Sequence, residues 1–252
     1  AKGRDLRGGK ENIVAIIGDG SLSGGEAFEG LDNAAVLGSN IIVIVNDNDM
    51  SIAKNEGGLY GNLKLLRDTN GEAECNFFKA LGFEYHYLND GHDIQAMIDL
   101  FNKVKDSNHP VLIHLRTIKG KGFEAAELDK EKYHWILPGT LDKKDNITQN
   151  SKTEDYGSIT ADYIENKYNE DNTVIAISPA TPAVSGFTPA FRDKAGIHYT
   201  DVGIAEEHAI AFISGIAKNG GKPILGVMSS FVQRTYDQLS QDLALNNNPA
   251  TI

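Results

Sequence analysis

Two short polar clusters, Gly18-Asp19-Gly20 and Asn46-Asp47-Asn48, hold the residue types best suited to chemistry in the first half of the chain. Asp19 offers a carboxylate and Asn48 an amide oxygen. Gly18 and Gly20 permit tight turning and a close approach of backbone to a ligand. Gly24 and Gly25 open the next segment, where the free amides of a helix start suit a phosphate. All these oxygens are hard and few are charged. Such a set suits Mg2+ that also holds a diphosphate, rather than a thiolate-bound transition metal. Asp19, Asn48, one backbone carbonyl just beyond, two diphosphate oxygens and a water would complete an octahedral set. The alternative is an ordinary parallel sheet with polar loops and no cofactor.

The elements that must position these clusters are legible around them. Val14 to Ile17 and Ile41 to Val45 are short, continuous and β-branched, the pattern of strands buried on both faces of a parallel sheet. Between them Ala27, Phe28, Leu31, Ala34 and Ala35 recur at helical spacing. This is a βαβ unit, and in such sheets ligands bind at the carboxyl ends of strands, so the two clusters should meet at one crevice. Ala53 to Asn62 reads as a loop over that crevice, Leu63 to Leu66 as a short helix and Glu72 to Leu81 as another. Phe83 to Leu88 and Val111 to Arg116 read as strands, with an amphipathic helix from Ile94 to Val104 between them. The βα repetition predicts parallel sheets with right-handed connections.

Residues 120–155 differ. They are charged, carry Gly and Pro, and show no long period, so they predict an interdomain linker between domains at 1–119 and 156–252. The run from Lys119 to Glu124 is a basic, glycine-rich turn able to bind anions, or else a solvated loop. In the second half, helices are expected at 158–168, 189–194, 205–218 and 231–246. Strands are expected at 173–177, 198–202 and 223–228. Glu206 and Glu207 open the apolar helix, where acidic residues are ordinary capping worth about 0.3–1 kcal/mol.

The whole chain bounds the answer. Its 252 residues, 40% of them apolar, suffice for one large or two medium domains with a proper core. A net charge of −11 argues against nucleic acid and anionic membrane as partners, so an anionic substrate would need local cations. Cys75 is the only cysteine, which leaves no disulfide framework and no cysteine-based zinc site. No signal peptide or membrane span is visible, and the expected location is cytoplasmic. With no initiator Met and an end at Pro249-Ala250-Thr251-Ile252 that reads as entry to a strand, a piece of a longer protein is expected.

GDG and NDN, each at a strand end with a helix between, resemble the thiamine-diphosphate motif of the transketolase-like enzymes. NDNDMSIAKNEGGL, LNDGHD, HLRTIKGKGFEAAELDKEKYHW, AEEHA and GGKPILGVMSSFVQRTYDQLSQDLALNNNP are similar to the 1-deoxy-D-xylulose-5-phosphate synthases. The similarity keeps its order over nearly all of the chain. It sets the sequence apart from ordinary transketolases, whose glutamate is followed directly by His. The resemblance implies a transketolase-like α/β fold. It makes residues 1–119 a diphosphate-binding domain and residues 156–252 a pyrimidine-binding domain, both incomplete.

The resemblance also implies roles for single residues. Asp19, Asn48 and the Met50 carbonyl would hold Mg2+, with Gly20, Ser21 and Ile52 beside the cofactor and Lys119 near its diphosphate. Glu206 would bond N1′ of the aminopyrimidine, Phe231 stack on that ring and Ile204 support it. Arg234 would grip the acceptor's phosphate, and His134 lie near the reacting carbon. Blander alternatives are a packed linker residue for His134 and a surface pair with Asp237 for Arg234. His92 reads as a turn residue held by Asp90 and Asp93. The implied reaction joins pyruvate, with loss of CO2, to D-glyceraldehyde 3-phosphate in a homodimer, feeding isoprenoid, thiamine and pyridoxal synthesis; this stretch alone would be inactive. Rival readings are a sugar transketolase and a non-catalytic relative. Two departures stand out: Met228 where the family has Tyr, and a segment between Asn62 and Phe77 shorter than usual.

Overall fold

Apolar runs and helical stripes fold as alternating strands and helices in a computed structural model that describes residues 1–136, 138 and 155–252. These residues divide into two units, Ala1–Lys130 and Glu131–Ile252. The first carries α1 (Lys2–Leu6), β1 (Val14–Gly18), α2 (Gly25–Val36), β2 (Ile42–Asp47), α3 (Gly58–Asp68), α4 (Phe77–Leu81), β3 (Glu84–Leu88), α5 (Ile94–Val104), β4 (Val111–Arg116) and α6 (Glu124–Leu128). Among the described residues its strands form one parallel sheet in the order β1-β2-β4-β3.

β2 and β4 are central, and the alternation of their side chains splits the core in two. Val43, Val45 and Leu112 pack with Leu22, Leu31, Leu63, Leu66 and Phe78 from the α2–α4 side. Ile42, Ile44, Val111 and Ile113 pack with Val104 and the apolar stripe of α5. Fully burying an aliphatic or phenyl side chain contributes about 1.5–3 kcal/mol over leaving it exposed. Leu63, Leu66 and Phe78 are all fully buried, so their packing in this cluster holds α3 and α4 in place.

Three expectations are corrected here. β1 is not buried on both faces: it is an edge strand, and Val14 and Ile16 are 49% and 73% exposed. A run of β-branched residues cannot by itself tell an edge strand from a central one. The polar stretch before Leu63 is not all loop, because α3 starts at Gly58 and buries Tyr60. The helix expected from Glu72 begins only at Phe77, where Asn76 caps it by accepting from the amides of Phe78 at 3.0 Å and Lys79 at 3.1 Å.

The second unit carries α7 (Tyr156–Glu170), β5 (Val174–Ser178), α8 (Pro189–Ala195), β6 (Tyr199–Asp201), α9 (Glu206–Lys218), β7 (Lys222–Leu225) and α10 (Tyr236–Gln238). Its described strands form a parallel sheet ordered β6-β5-β7. Val174 and Ala176 face α7 and α8, while Ile177 and Leu225 pack against Ala209, Ile210 and Ile213 of α9. The helix expected over 231–246 is instead a 3-10 turn at Val232–Thr235, then α10, then π-helical turns at Leu239–Leu245. Within the expected linker, residue 137 and residues 139–154 lie outside the described residues; the described part carries α6 and a 3-10 turn at Lys132–His134. No helix among the described residues is long and apolar enough to cross a membrane.

Candidate cation and acid-base sites

In the first unit the two strand-end clusters come together. β1 runs straight into a 3-10 turn, Asp19–Ser23, which turns the Asp19 carboxylate inward until the residue is only 2% exposed. The carboxylate accepts from the Met50 amide at 3.0 Å and from Asn55 Nδ2 at 2.7 Å. Burial pushes its pKa up to about 6, with the nearby Asp47 charge adding to the rise. Asn48 follows the end of β2, and its Oδ1 is a buried acceptor without a hydrogen-bond partner. Buried polar atoms are nearly always satisfied, so an orphan oxygen at the end of the strand next to the one that leads into Asp19 asks for a cation or a donor. No group of three or more His, Cys, Asp or Glu residues suited to a metal occurs among the described residues. A site with one carboxylate, one amide oxygen and one backbone carbonyl lies outside that pattern and matches the hard, low-charge set that Mg2+ takes.

The surrounding loop is tightly built. A Cβ on Gly20 would stand 2.5 Å from Ser51 Cβ and 3.0 Å from its Cα, so glycine there lets the first turn reach the 51–55 loop. Tyr60 of α3 donates to the carbonyls of Asp19 at 3.3 Å and Gly20 at 3.1 Å. Lys119 Nζ donates to the Ser51 carbonyl, which brings the basic turn after β4 to the same loop. Ser21 is exposed and Ile52 half-buried. His92 accepts from the Ile118 amide at 2.8 Å, and its own amide donates to Asp90 at 2.9 Å, a structural role in that turn.

Behind the site lies a network with no counterpart in the motif reading. Asp47 and His114 are fully buried, and His114 Nε2 lies 2.7 Å from Asp47 Oδ2. A carboxylate only accepts, so Nε2 carries the hydrogen and Nδ1 faces the Tyr85 hydroxyl at 2.8 Å. Arg67 NH1 donates to both Asp47 oxygens at 2.9 and 2.7 Å, while its NH2 reaches Asp49 Oδ1 at 2.5 Å. Burial alone would raise the Asp47 pKa; the hydrogen bonds from His114 and Arg67 outweigh it and hold the carboxyl below the usual range. Asn55, Arg67 and His114 were missed by the sequence reading. The visible signal was a second acid, Asp49, flanking Asn48.

In the second unit Glu206 opens α9 and is 3% exposed. Burial raises its pKa, opposed in part by backbone hydrogen bonding and the charge of Arg234. Arg234 NH1 donates to Glu206 Oε2 at 2.8 Å, and its NE and NH2 lie 3.3 and 3.2 Å from the two Glu207 oxygens. The pairing with Asp237 that helical spacing suggested is absent from the ion pairs of the described residues; the guanidinium is taken up by Glu206 and Glu207 instead. Ile204 and Phe231 are half-buried, and His134 is exposed at the end of its own 3-10 turn. Asp201 anchors the approach to α9: it accepts from the amides of Ala180 and Gly203, both at 2.9 Å.

Comparison with known proteins follows the same division. A family model described as 1-deoxy-D-xylulose-5-phosphate synthase matches residues 1–72 and 66–117, and one described as transketolase, pyrimidine binding domain, matches residues 153–252. The chain is 36% identical over 287 aligned residues to 1-deoxy-D-xylulose-5-phosphate synthase 1 of Geobacter metallireducens, covering 100% of this chain and 46% of that protein. It is 38% identical over 257 residues to the 1-deoxy-D-xylulose-5-phosphate synthase of Buchnera aphidicola subsp. Schizaphis graminum, covering 98% and 42%. The chain thus spans under half the length of these curated relatives. A transketolase structure from Campylobacter jejuni matches at 19% identity and a TM-score of 0.37, over 99% of this chain and 48% of that one, too distant to carry an argument.

Proposed function

The chain belongs to the 1-deoxy-D-xylulose-5-phosphate synthase family, and we propose that it takes part in the condensation of pyruvate with D-glyceraldehyde 3-phosphate to 1-deoxy-D-xylulose 5-phosphate and CO2. The observation that carries this reading is the buried Asp19 carboxylate together with the unpartnered Asn48 Oδ1, each just past the carboxyl end of one of two adjacent parallel strands. In this reading Asp19, Asn48 and the Met50 carbonyl hold Mg2+ against a diphosphate. Gly20, Ser21, Ile52 and Lys119 line the cofactor, so residues 1–119 act as the diphosphate-binding domain and 156–252 as the pyrimidine-binding domain, with 120–155 linking them.

Thiamine diphosphate, when bound, supplies the nucleophilic carbon and the electron sink that decarboxylation requires. The residues of this chain do the rest. Glu206 holds a proton for the ring nitrogen N1′, and burial that raises its pKa favours the protonated form it must visit. Ile204 and Phe231 give the pyrimidine an apolar seat, and His134 serves the reacting carbon. Arg234 binds the acceptor's phosphate by exchanging its contacts with Glu206 and Glu207 for phosphate oxygens, to which its planar fork can donate two parallel hydrogen bonds. The working protein is a cytoplasmic homodimer.

The test is an assay of the intact protein with pyruvate, D-glyceraldehyde 3-phosphate, thiamine diphosphate and Mg2+. CO2 should appear in step with 1-deoxy-D-xylulose 5-phosphate. Two-carbon transfer between sugar phosphates without CO2 would make it a transketolase instead.

A further inference from the structure

Asn48 stands between two acids, and Arg67 holds both. We propose that Arg67 is a positioning residue of the cation site, clamping the chain on either side of Asn48 and thereby aiming Asn48 Oδ1 and the Met50 carbonyl. This rests on the reading of Asp19, Asn48 and Met50 as cation ligands.

The geometry has three parts. Asp47 is fixed at the end of β2: it is fully buried, bonded by His114 at 2.7 Å and by Arg67 at 2.9 and 2.7 Å. Asp49 is in the left-handed region at φ 62°, uncommon for non-glycine residues although Asp and Asn enter it more readily than most, and local contacts can support it. Two contacts do so. Its amide donates to Asp47 Oδ1 at 3.0 Å, and its carboxylate meets Arg67 NH2 at 2.5 Å. The residue between these anchors is Asn48, whose Oδ1 has no hydrogen-bond partner. The residue after them is Met50, whose amide is already fixed on Asp19 at 3.0 Å.

Electrostatics gives Arg67 a second task. Asp47 and Asp49 flank the proposed ligand and would compete with it for a divalent cation. A guanidinium satisfies both through one rigid fork, leaving the neutral Asn48 oxygen and the Asp19 carboxylate to the metal. Arg67 is 10% exposed and sits in the last turn of α3. Lysine could keep the charge but not span both acids, so the clamp depends on the fork and not on charge alone. Groups that orient metal ligands from behind typically change metal affinity about 10- to 100-fold when removed.

The experiment measures Mn2+ binding by electron paramagnetic resonance on the intact protein with thiamine diphosphate present, alongside a thermal melt of each variant. Arg67→Met should weaken Mn2+ binding about 10- to 100-fold, and Arg67→Lys by a smaller factor. Asp49→Asn, a change at an exposed side chain that still tolerates the left-handed backbone, should weaken it several-fold. Combined with Arg67→Lys it should add less than its single effect, because the two residues share one contact. If Arg67→Met does not fold, the Lys and Asn variants decide. Wild-type affinity in both, or a lowered melting temperature with unchanged Mn2+ spectrum and affinity, would overturn the clamp. Asp19→Ala separates this from the underlying reading: if it binds Mn2+ as the wild type does, the cation site itself is wrong. If it loses Mn2+ while Arg67→Met and Arg67→Lys keep it, only the clamp is wrong.

Discussion

Asp19 in the first unit and Glu206 in the second are both buried carboxylates whose pKa burial raises, yet they are treated in opposite ways. Asp19 receives its hydrogen bonds from neutral donors, Asn55 and the Met50 amide, and just past the end of the neighbouring strand the Asn48 amide oxygen has nothing to accept. Glu206 has a guanidinium at 2.8 Å. A buried charge held only by neutral groups is costly unless a cation comes to it. A buried carboxyl with an adjustable ionic partner can instead move between its protonated and charged forms. The first arrangement suits binding, the second proton transfer. The contrast also explains Arg67: it removes from Asp47 and Asp49 the demand for positive charge that Asp19 keeps.

The comparison breaks most completely at Asp19. Asp19→Ala deletes the carboxylate, and calorimetry should show Mg2+-dependent binding of thiamine diphosphate abolished. Retained binding would mean that the buried acid has a structural task and that the two carboxylates are not divided between binding and catalysis. Glu206→Ala should act differently, leaving the cofactor bound while slowing exchange of its thiazolium C2 proton. Acid–base assistance of this kind is typically worth about 10²–10⁴ in rate. Exchange at wild-type speed, followed by NMR, would reduce Glu206 to a helix-start carboxylate.

Arg234 sharpens the contrast further, because it touches both Glu206 and Glu207. Arg234→Ala should weaken D-glyceraldehyde 3-phosphate about ten- to a hundredfold, from the loss of charged hydrogen bonds worth roughly 1.5–3 kcal/mol. Pyruvate should be affected much less. The variant also removes a charge that lowers the Glu206 pKa, so the Glu206 limb of the pH–rate profile should move to higher pH. Steady-state kinetics with each substrate varied in turn checks both. Equal losses for the two substrates would remove Arg234 from the acceptor site, and an unmoved limb would remove it as the partner of Glu206.

Much of the first unit was legible in the chain, for identifiable reasons. Strand ends bearing Asp19 and Asn48 follow from apolar runs that stop at small polar residues, and both residues carry atoms whose chemistry is plain from their type. Asn55 was not legible, because its partner Asp19 is 36 positions away and its surroundings read as polar loop. Arg67 and His114 lie 20 and 67 positions from Asp47, and each sits in an element whose apolar pattern draws attention elsewhere. The exposed face of β1 escaped because β-branched composition reports strand tendency and not the number of neighbouring strands. In the second unit, Glu206 reads also as a helix start, and its burial and its contact with Arg234 were not legible in the chain.

The smallest effect concerns pH, and its sign follows from Asp19 alone. The folded-state pKa is raised from 3.8 to about 6, so the folded chain holds this proton more tightly than the unfolded chain does. The stability this contributes is complete below about pH 3.8 and is lost as pH rises through about 6; a rise of that size is worth about 3 kcal/mol at most. A cation on the carboxylate removes that cost. Stabilisation by Mg2+ with thiamine diphosphate should therefore be small near pH 4.5 and grow as pH passes 6. Below pH 6 the proton and the cation compete for one carboxylate, and apparent affinity should fall up to about tenfold per pH unit. The cofactor's own diphosphate titrates nearby, so Asp19→Asn serves as the control, keeping the diphosphate contribution and losing that of the side chain. Thermal melts with and without Mg2+ between pH 4.5 and 7.5 measure the difference. Parallel curves for wild type and Asp19→Asn would show that Asp19 does not meet the cation, and the division between a binding carboxylate and a proton-transferring one would lose its first half.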